Sequence, residues 1–132
     1  MRTLPIRLAP GVDLRRALEA EVAGQGCEAA FVLGGIGSLS QVQIRLADAA
    51  QVQARVEPLE VLTLSGTVGV GASHLHATLA RADGSVFGGH LGYGSTVRTT
   101  AEVLLALLDG WSFTREADAG TGYAELVVRA RD

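Results

Sequence analysis

Glycine punctuation constrains this chain more than any other feature. Seventeen of the 132 residues are glycine, spread so that few stretches run long without one. Segments cut that short favour strands joined by turns over long helices. One stretch stands apart. After Pro10-Gly11, Asp13 is placed to cap a helix by accepting backbone N–H groups of its first turn. Leu14, Ala17, Leu18 and Val22 then follow at helical spacing as one apolar stripe, and Gly24 and Gly26 end it.

The rest reads as strands. Residues 4–8 form a first short strand, with Pro5 suited to a sheet edge. Residues 29–33 are a solid apolar run ending in Gly34-Gly35, a buried strand. Val42, Ile44 and Leu46 alternate with Gln41, Gln43 and Arg45, a half-exposed strand. Residues 52–57 form another, stopped by Pro58; 59–68, 73–81, 85–91 and 123–130 complete the set. Residues 96–108 are ambiguous, because leucine and alanine favour helix while the preceding valine and threonines favour strand. The connections are too short for crossover helices. The expected fold is α+β: a mainly antiparallel β-sheet with one or two helices packed on it, in a single domain over 1–132. With 48% hydrophobic and 19% charged residues, the chain has the material for a real core.

Composition excludes several chemistries. All 11 basic residues are arginine, so no lysine can serve a phosphate loop, a Schiff base or a general base. A single cysteine, Cys27, excludes an internal disulfide and any multi-cysteine metal site, and reads as a small buried side chain. A net charge of -3 does not suggest a surface built for nucleic acid. The longest apolar run, 103–108, is too short to span a membrane, and the first residues carry no apolar signal-peptide core. No membrane partner and a cytoplasmic location are expected.

The chemistry concentrates in three histidines, His74, His76 and His90, all within seventeen residues. His74 and His76 share a face if they lie on a strand. Ala82-Asp83-Gly84 suits a three-residue hairpin loop with Gly84 in the left-handed conformation. That register sets Arg81 opposite Ser85 and His76 opposite His90. One face then carries the histidines with Thr78, Val86 and Gly88, and the other carries Leu75, Ala77, Leu79, Phe87 and Leu91. A two-residue loop would mix the faces, so the hydrophobic pattern selects the three-residue loop. Opposed residues have Cβ atoms roughly 4.5–5.5 Å apart, and three imidazoles at that spacing can converge on one divalent ion about 2.0–2.1 Å from each nitrogen; the alternative is ordinary hydrogen bonding across a polar sheet face. Gly88 and Gly89, lacking side chains, would leave room there for a metal, water or ligand. No fourth ligand can be assigned from outside the hairpin.

Other motifs carry less. Gly35-Ile36-Gly37-Ser38-Leu39-Ser40 comes near a dinucleotide loop, but Ser40 replaces the last glycine and a strand follows rather than a helix. A tight turn, or a backbone closely approached by another element, fits better. Gly71-Ala72-Ser73-His74-Leu75 misses the nucleophile elbow, because Leu75 stands where glycine is required. Glu60 and Glu102 fall in apolar strands and would need a partner, either Arg98 or a histidine that they orient.

The ordered set of segments from Leu59 to Glu102 resembles a known family. Leu59-Glu60-Val61-Leu62-Thr63-Leu64-Ser65-Gly66-Thr67 is followed by His74-Leu75-His76-Ala77 and Asp83-Gly84. Val86-Phe87-Gly88-Gly89-His90-Leu91 and Val97-Arg98-Thr99-Thr100-Ala101-Glu102 come next. With Pro10-Gly11-Val12-Asp13-Leu14 and Gly35-Ile36-Gly37-Ser38-Leu39, these are similar to the plants-and-prokaryotes-conserved (PPC) domain of the free-standing prokaryotic type. The resemblance implies a compact α+β homotrimer, a strand rather than a helix over 96–108, and His74, His76 and His90 as ligands of a divalent transition metal such as zinc. Prokaryotic members commonly carry a provisional DNA-binding label. Plant members place the domain behind an AT-hook, which this chain lacks.

Three functions compete. The first is a homotrimeric module binding a metal or small ligand, with a regulatory role. The second is a metal-dependent enzyme of hydrolase or lyase type, for which no general acid or base beyond the histidines can be named. The third is direct DNA binding by the trimer, which the acidic balance and scattered arginines support only weakly.

Overall fold

A computed structural model describes residues 1–132. The elements in chain order are β1 (Arg2–Leu8), α1 (Leu14–Gly24), β2 (Ala29–Arg45), β3 (Gln53–Gly69), β4 (Ala72–Ala80), β5 (Val86–Leu91), β6 (Thr96–Leu107), β7 (Trp111–Ala117) and β8 (Ala124–Ala130). Strands β1 to β6 form one sheet in the order β1-β6-β2-β3-β4-β5, and β7-β8 form a separate hairpin. Every strand pair is antiparallel. There is one helix, so the second helix allowed by the sequence is absent. No helix is long and apolar enough to cross a membrane.

The helix forms where expected. Asp13 Oδ1 accepts from the Arg16 backbone N–H at 3.1 Å, and Leu14, Leu18 and Val22 are buried. They pack on one face of the sheet with Leu39, Ile44, Leu75, Leu79, Leu91 and Leu105 in a continuous core. Cys27 is buried as expected. Residues 96–107 are a strand, the outcome the family resemblance implies and against the local helix propensity of its leucines.

Two expected strand breaks are not breaks. Residues 29–33 and 42–45 belong to one 17-residue strand, β2, because Gly34-Gly35 lies inside it rather than turning the chain. Of the two readings offered for the Gly35–Gly37 stretch, the close approach is realised: a Cβ on Gly37 would lie 2.5 Å from the Thr100 carbonyl oxygen. Pro58 likewise sits inside β3, at the register shift between Leu39 and Gln41, where a missing N–H costs no ladder bond. This irregularity also bends β2. Its far end pairs with β5 at Ile44–Leu91 and Arg45–His90, so β2, β3, β4 and β5 close into a ring.

Strand β7 had no counterpart in the sequence reading. Its Phe113 stacks edge-on against Phe31 of β2 at 5.6 Å. Its backbone bonds to Glu28 and Val70, the latter just beyond β3, at 3.0 and 2.9 Å. These contacts pin the β7-β8 hairpin over the ends of β2 and β3 that lead to the histidines.

Candidate metal centre

The hairpin of β4 and β5 has the register the hydrophobic pattern demands. Arg81 N–H donates to the Ser85 carbonyl at 2.9 Å, Gly84 has φ +84, and His76 stands opposite His90. Leu75, Ala77, Leu79 and Leu91 are buried on the apolar face. The other face gathers His74, His76 and His90, with one ligand atom from each lying within 4.8 Å of the others. Ring centroids are 4.8, 4.9 and 5.9 Å apart. His74 Nε2 and His76 Nε2 are 3.1 Å apart.

These numbers fit a shared ion. Two nitrogens each about 2.05 Å from a tetrahedral centre are separated by about 3.3 Å. The His74–His76 pair is already near that value, and a ring nitrogen of His90 lies within 4.8 Å of both. The Nδ1 of His90 is buried and without a hydrogen-bond partner, and such orphaned atoms are rare in folded proteins. Imidazole nitrogen is a donor of the kind zinc and its neighbours prefer. No carboxylate or cysteine joins the group, so no fourth protein ligand is supplied.

Electrostatics disfavour the protonated form of His90 and His74. Burial, then the neighbouring His74, Arg15, Arg45 and His76, lowers His90 from 6.5 to about 4. Burial, then Arg115, His76 and Arg15, also lowers His74, with Glu125 opposing. Between about 6.5 and about 4 the unfolded chain therefore binds protons that the folded chain refuses, so stability rises with pH across that window. In chelator-treated protein, urea unfolding at pH 5 should give a stability on the order of 1–2 kcal/mol below that at pH 7 from this source, once partial exposure is discounted. A His90→Asn variant should remove most of that slope; an unchanged slope would contradict the assignment.

Two expectations at the site need correction. Gly88 and Gly89 do not make room for a ligand. A Cβ on Gly88 would lie 2.7 Å from the Ala77 carbonyl oxygen, and one on Gly89 would lie 2.6 Å from that of Arg45. Their missing side chains let β4 and β2 close on β5 from either side. Glu60 and Glu102 neither pair with Arg98 nor approach a histidine: both are exposed, on the sheet face away from the core. The open space lies elsewhere. A cavity of about 580 Å³ borders His74 and His90, with Arg15, Arg45, Arg115 and Glu125 among its walls. No sequence motif marks these four residues as part of the site. Arg45 had a signal, since it neighbours a strand end; Arg115 had none before β7 was placed.

The model of the Plants and Prokaryotes Conserved (PCC) domain matches residues 1–109. The chain belongs to that family. It is 44% identical over 128 residues to the bifunctional protein GlmU of Synechococcus sp. (strain JA-3-3Ab), covering 97% of this chain and 21% of that one. The chain thus spans about a fifth of the length of the curated relatives it matches. Among solved structures, a hypothetical protein from Salmonella cholerae-suis is 35% identical with a TM-score of 0.94, over 98% of this chain and 94% of that chain. A metal-containing protein from Archaeoglobus fulgidus is 28% identical with a TM-score of 0.76, over 96% and 94%. Structures from Bacteroides thetaiotaomicron and Ralstonia eutropha that carry provisional DNA-binding names are 19% and 21% identical, and share the fold alone.

Proposed function

We propose that this family member is a metal-binding module, in which His74, His76 and His90 together hold one divalent transition metal, zinc foremost. The observation that carries the reading is the convergence of three imidazole donors within 4.8 Å of one another on one hairpin face. The metal-containing name of the Archaeoglobus relative supports it. When bound, such an ion supplies a Lewis-acidic point with positions open to an incoming ligand. The protein's own part is to hold three donors together on one hairpin face. A binding role, regulatory in kind, is preferred to hydrolase or lyase chemistry because no carboxylate is hydrogen-bonded to a histidine to serve as an acid–base partner. Calorimetric titration of chelator-treated protein with zinc should show one ion per chain, and no heat of binding would overturn the reading.

The working unit in this proposal is the whole chain, 1–132, assembled as a cytoplasmic homotrimer. Leu64, Val103, Leu105 and Leu107 are buried in the core, but Leu62 is 45% exposed and Ile36 is 56% exposed. With Leu33 and Leu104 they form apolar patches, interrupted by Glu60 and Glu102, on β2, β3 and β6, opposite the side that α1 covers, and exposed apolar surface of that kind marks an interaction surface. A second and third copy would cover it. Light scattering coupled to size exclusion should give three chains at micromolar concentration; a monomer would contradict the assembly without touching the metal site. Direct DNA binding draws no support from the site, whose arginines line a cavity rather than a convex basic surface.

A further inference from the structure

His74 and His90 occupy one side of the cavity of about 580 Å³, a size typical of small-molecule sites. Three arginines reach it from three distant parts of the chain: Arg15 from α1, Arg45 from the end of β2 and Arg115 from β7. Arg15 is fixed. It donates to Ser73 Oγ at 2.9 Å, to the Ser73 carbonyl at 2.6 Å and to the Leu91 carbonyl at 3.3 Å, and it lies 3.7 Å from Glu19. The other two differ. Neither Arg45 nor Arg115 has a carboxylate within 4.0 Å, whereas six other arginines do. Both are only partly exposed. Arg115 gives a single bond, to Thr67 Oγ1 at 3.0 Å, and Arg45 stands opposite His90 in the β2–β5 register. Two half-buried guanidinium groups with no carboxylate in contact, facing one cavity, leave their N–H donors free for an anion.

The charge count gives the condition. Asp48 and Glu125 also line the cavity, so with Glu19 behind Arg15 the three arginines are balanced. A divalent ion on the histidines would leave an excess of two positive charges. We propose that the metal-loaded cavity binds a small oxyanion, a carboxylate or phosphate group of a metabolite-sized molecule, held between the ion and the Arg45 and Arg115 guanidinium groups. The inference rests on the metal reading above and names the class of ligand that site takes. Guanidinium suits this role because its planar fork matches two oxygens of such a group at once. Most of the lining residues are charged or polar, so charge would dominate recognition, and binding should weaken as salt rises.

The experiment is calorimetry on the full chain in two stages. Zinc is titrated first, which reads the metal reading alone. Malonate, methyl phosphate and neutral malonamide are then titrated into the zinc-loaded protein and into the chelator-treated protein. At least one of the two anions should bind the zinc-loaded protein, at least tenfold more tightly than the metal-free protein, with no binding of malonamide. Arg45→Gln and Arg115→Gln should each weaken that anion at least tenfold while leaving zinc affinity unchanged or raised, since each removes a positive charge near the ion. Retained zinc binding shows that the variants are folded. Zinc binding without binding of either anion would overturn the anion site and leave the metal site standing. So would equal binding of malonamide, or anion affinities unchanged in both variants. Failure of zinc to load in the first titration would overturn both.

Discussion

Replacing Gly66 by alanine should cost about 3–5 kcal/mol, enough to leave the chain marginally folded. Gly66 lies in β3 opposite Leu75, with φ +139, a conformation that side-chain-bearing residues rarely adopt. A Cβ there would fall onto the backbone carbonyl of His74, and it would also lie 2.9 Å from the Leu75 Cα. The obstruction is backbone, so no rotamer change relieves it; β3 and β4 must separate. Because the clash is at the His74–Leu75 peptide, the same substitution should displace His74 and weaken zinc binding. Gly71 provides the contrast. It also has a left-handed φ, +63, but nothing lies within 4 Å of its would-be Cβ, so Gly71→Ala should cost only about 1 kcal/mol. Gly24, helical and unobstructed, should tolerate alanine with no loss or a small gain. Urea unfolding followed by circular dichroism orders the three variants; a Gly66→Ala protein within 1 kcal/mol of wild type would show that the sheet does not need this close approach.

Loss of one histidine should abolish stable metal loading. His76 is the informative position because it is exposed, so its removal leaves no cavity in the core. His76→Ala should lower zinc affinity by at least 100-fold, a loss of about 2.7 kcal/mol or more. The effect shows in melting as well. Zinc at 100 times its dissociation constant stabilises the native state by about 2.7 kcal/mol, which for a domain of this size raises the melting temperature on the order of 10 °C. The wild type should show that rise, and His76→Ala should show almost none at the same zinc concentration. A variant that melts like wild type without zinc yet fails to respond to it would separate the site from the fold. An equal response in both proteins would mean that zinc acts elsewhere.

The histidine cluster was legible in the sequence because two local rules agree. Period-two alternation puts Leu75, Ala77 and Leu79 on one side of β4, and the only loop length that also puts Phe87 and Leu91 there aligns His76 with His90. The helix was legible for the same kind of reason, a cap and a stripe within one short segment. Long-range geometry was not. Gly34-Gly35 and Pro58 are turn signals by local chemistry, yet pairing with β6 carries the chain through the first and a register shift absorbs the second. Strand β7 reads Trp-Ser-Phe-Thr-Arg-Glu-Ala, whose pattern commits to no face until Phe113 finds Phe31. The arginines of the cavity are 30 and 70 residues apart in sequence, at positions 15, 45 and 115, and only closure of β2 on β5 and docking of β7 bring them together. Gly88 and Gly89 were misread because a missing side chain signals either space or crowding, and the neighbouring backbone decides which.

Tag-free purification followed by elemental analysis tests the central claim most directly. The account predicts close to one equivalent of a divalent transition metal per chain in the wild-type protein, removed by strong chelation and absent from the His76→Ala protein purified alongside. A wild-type chain that carries no transition metal, and takes up none when zinc is supplied, would contradict it.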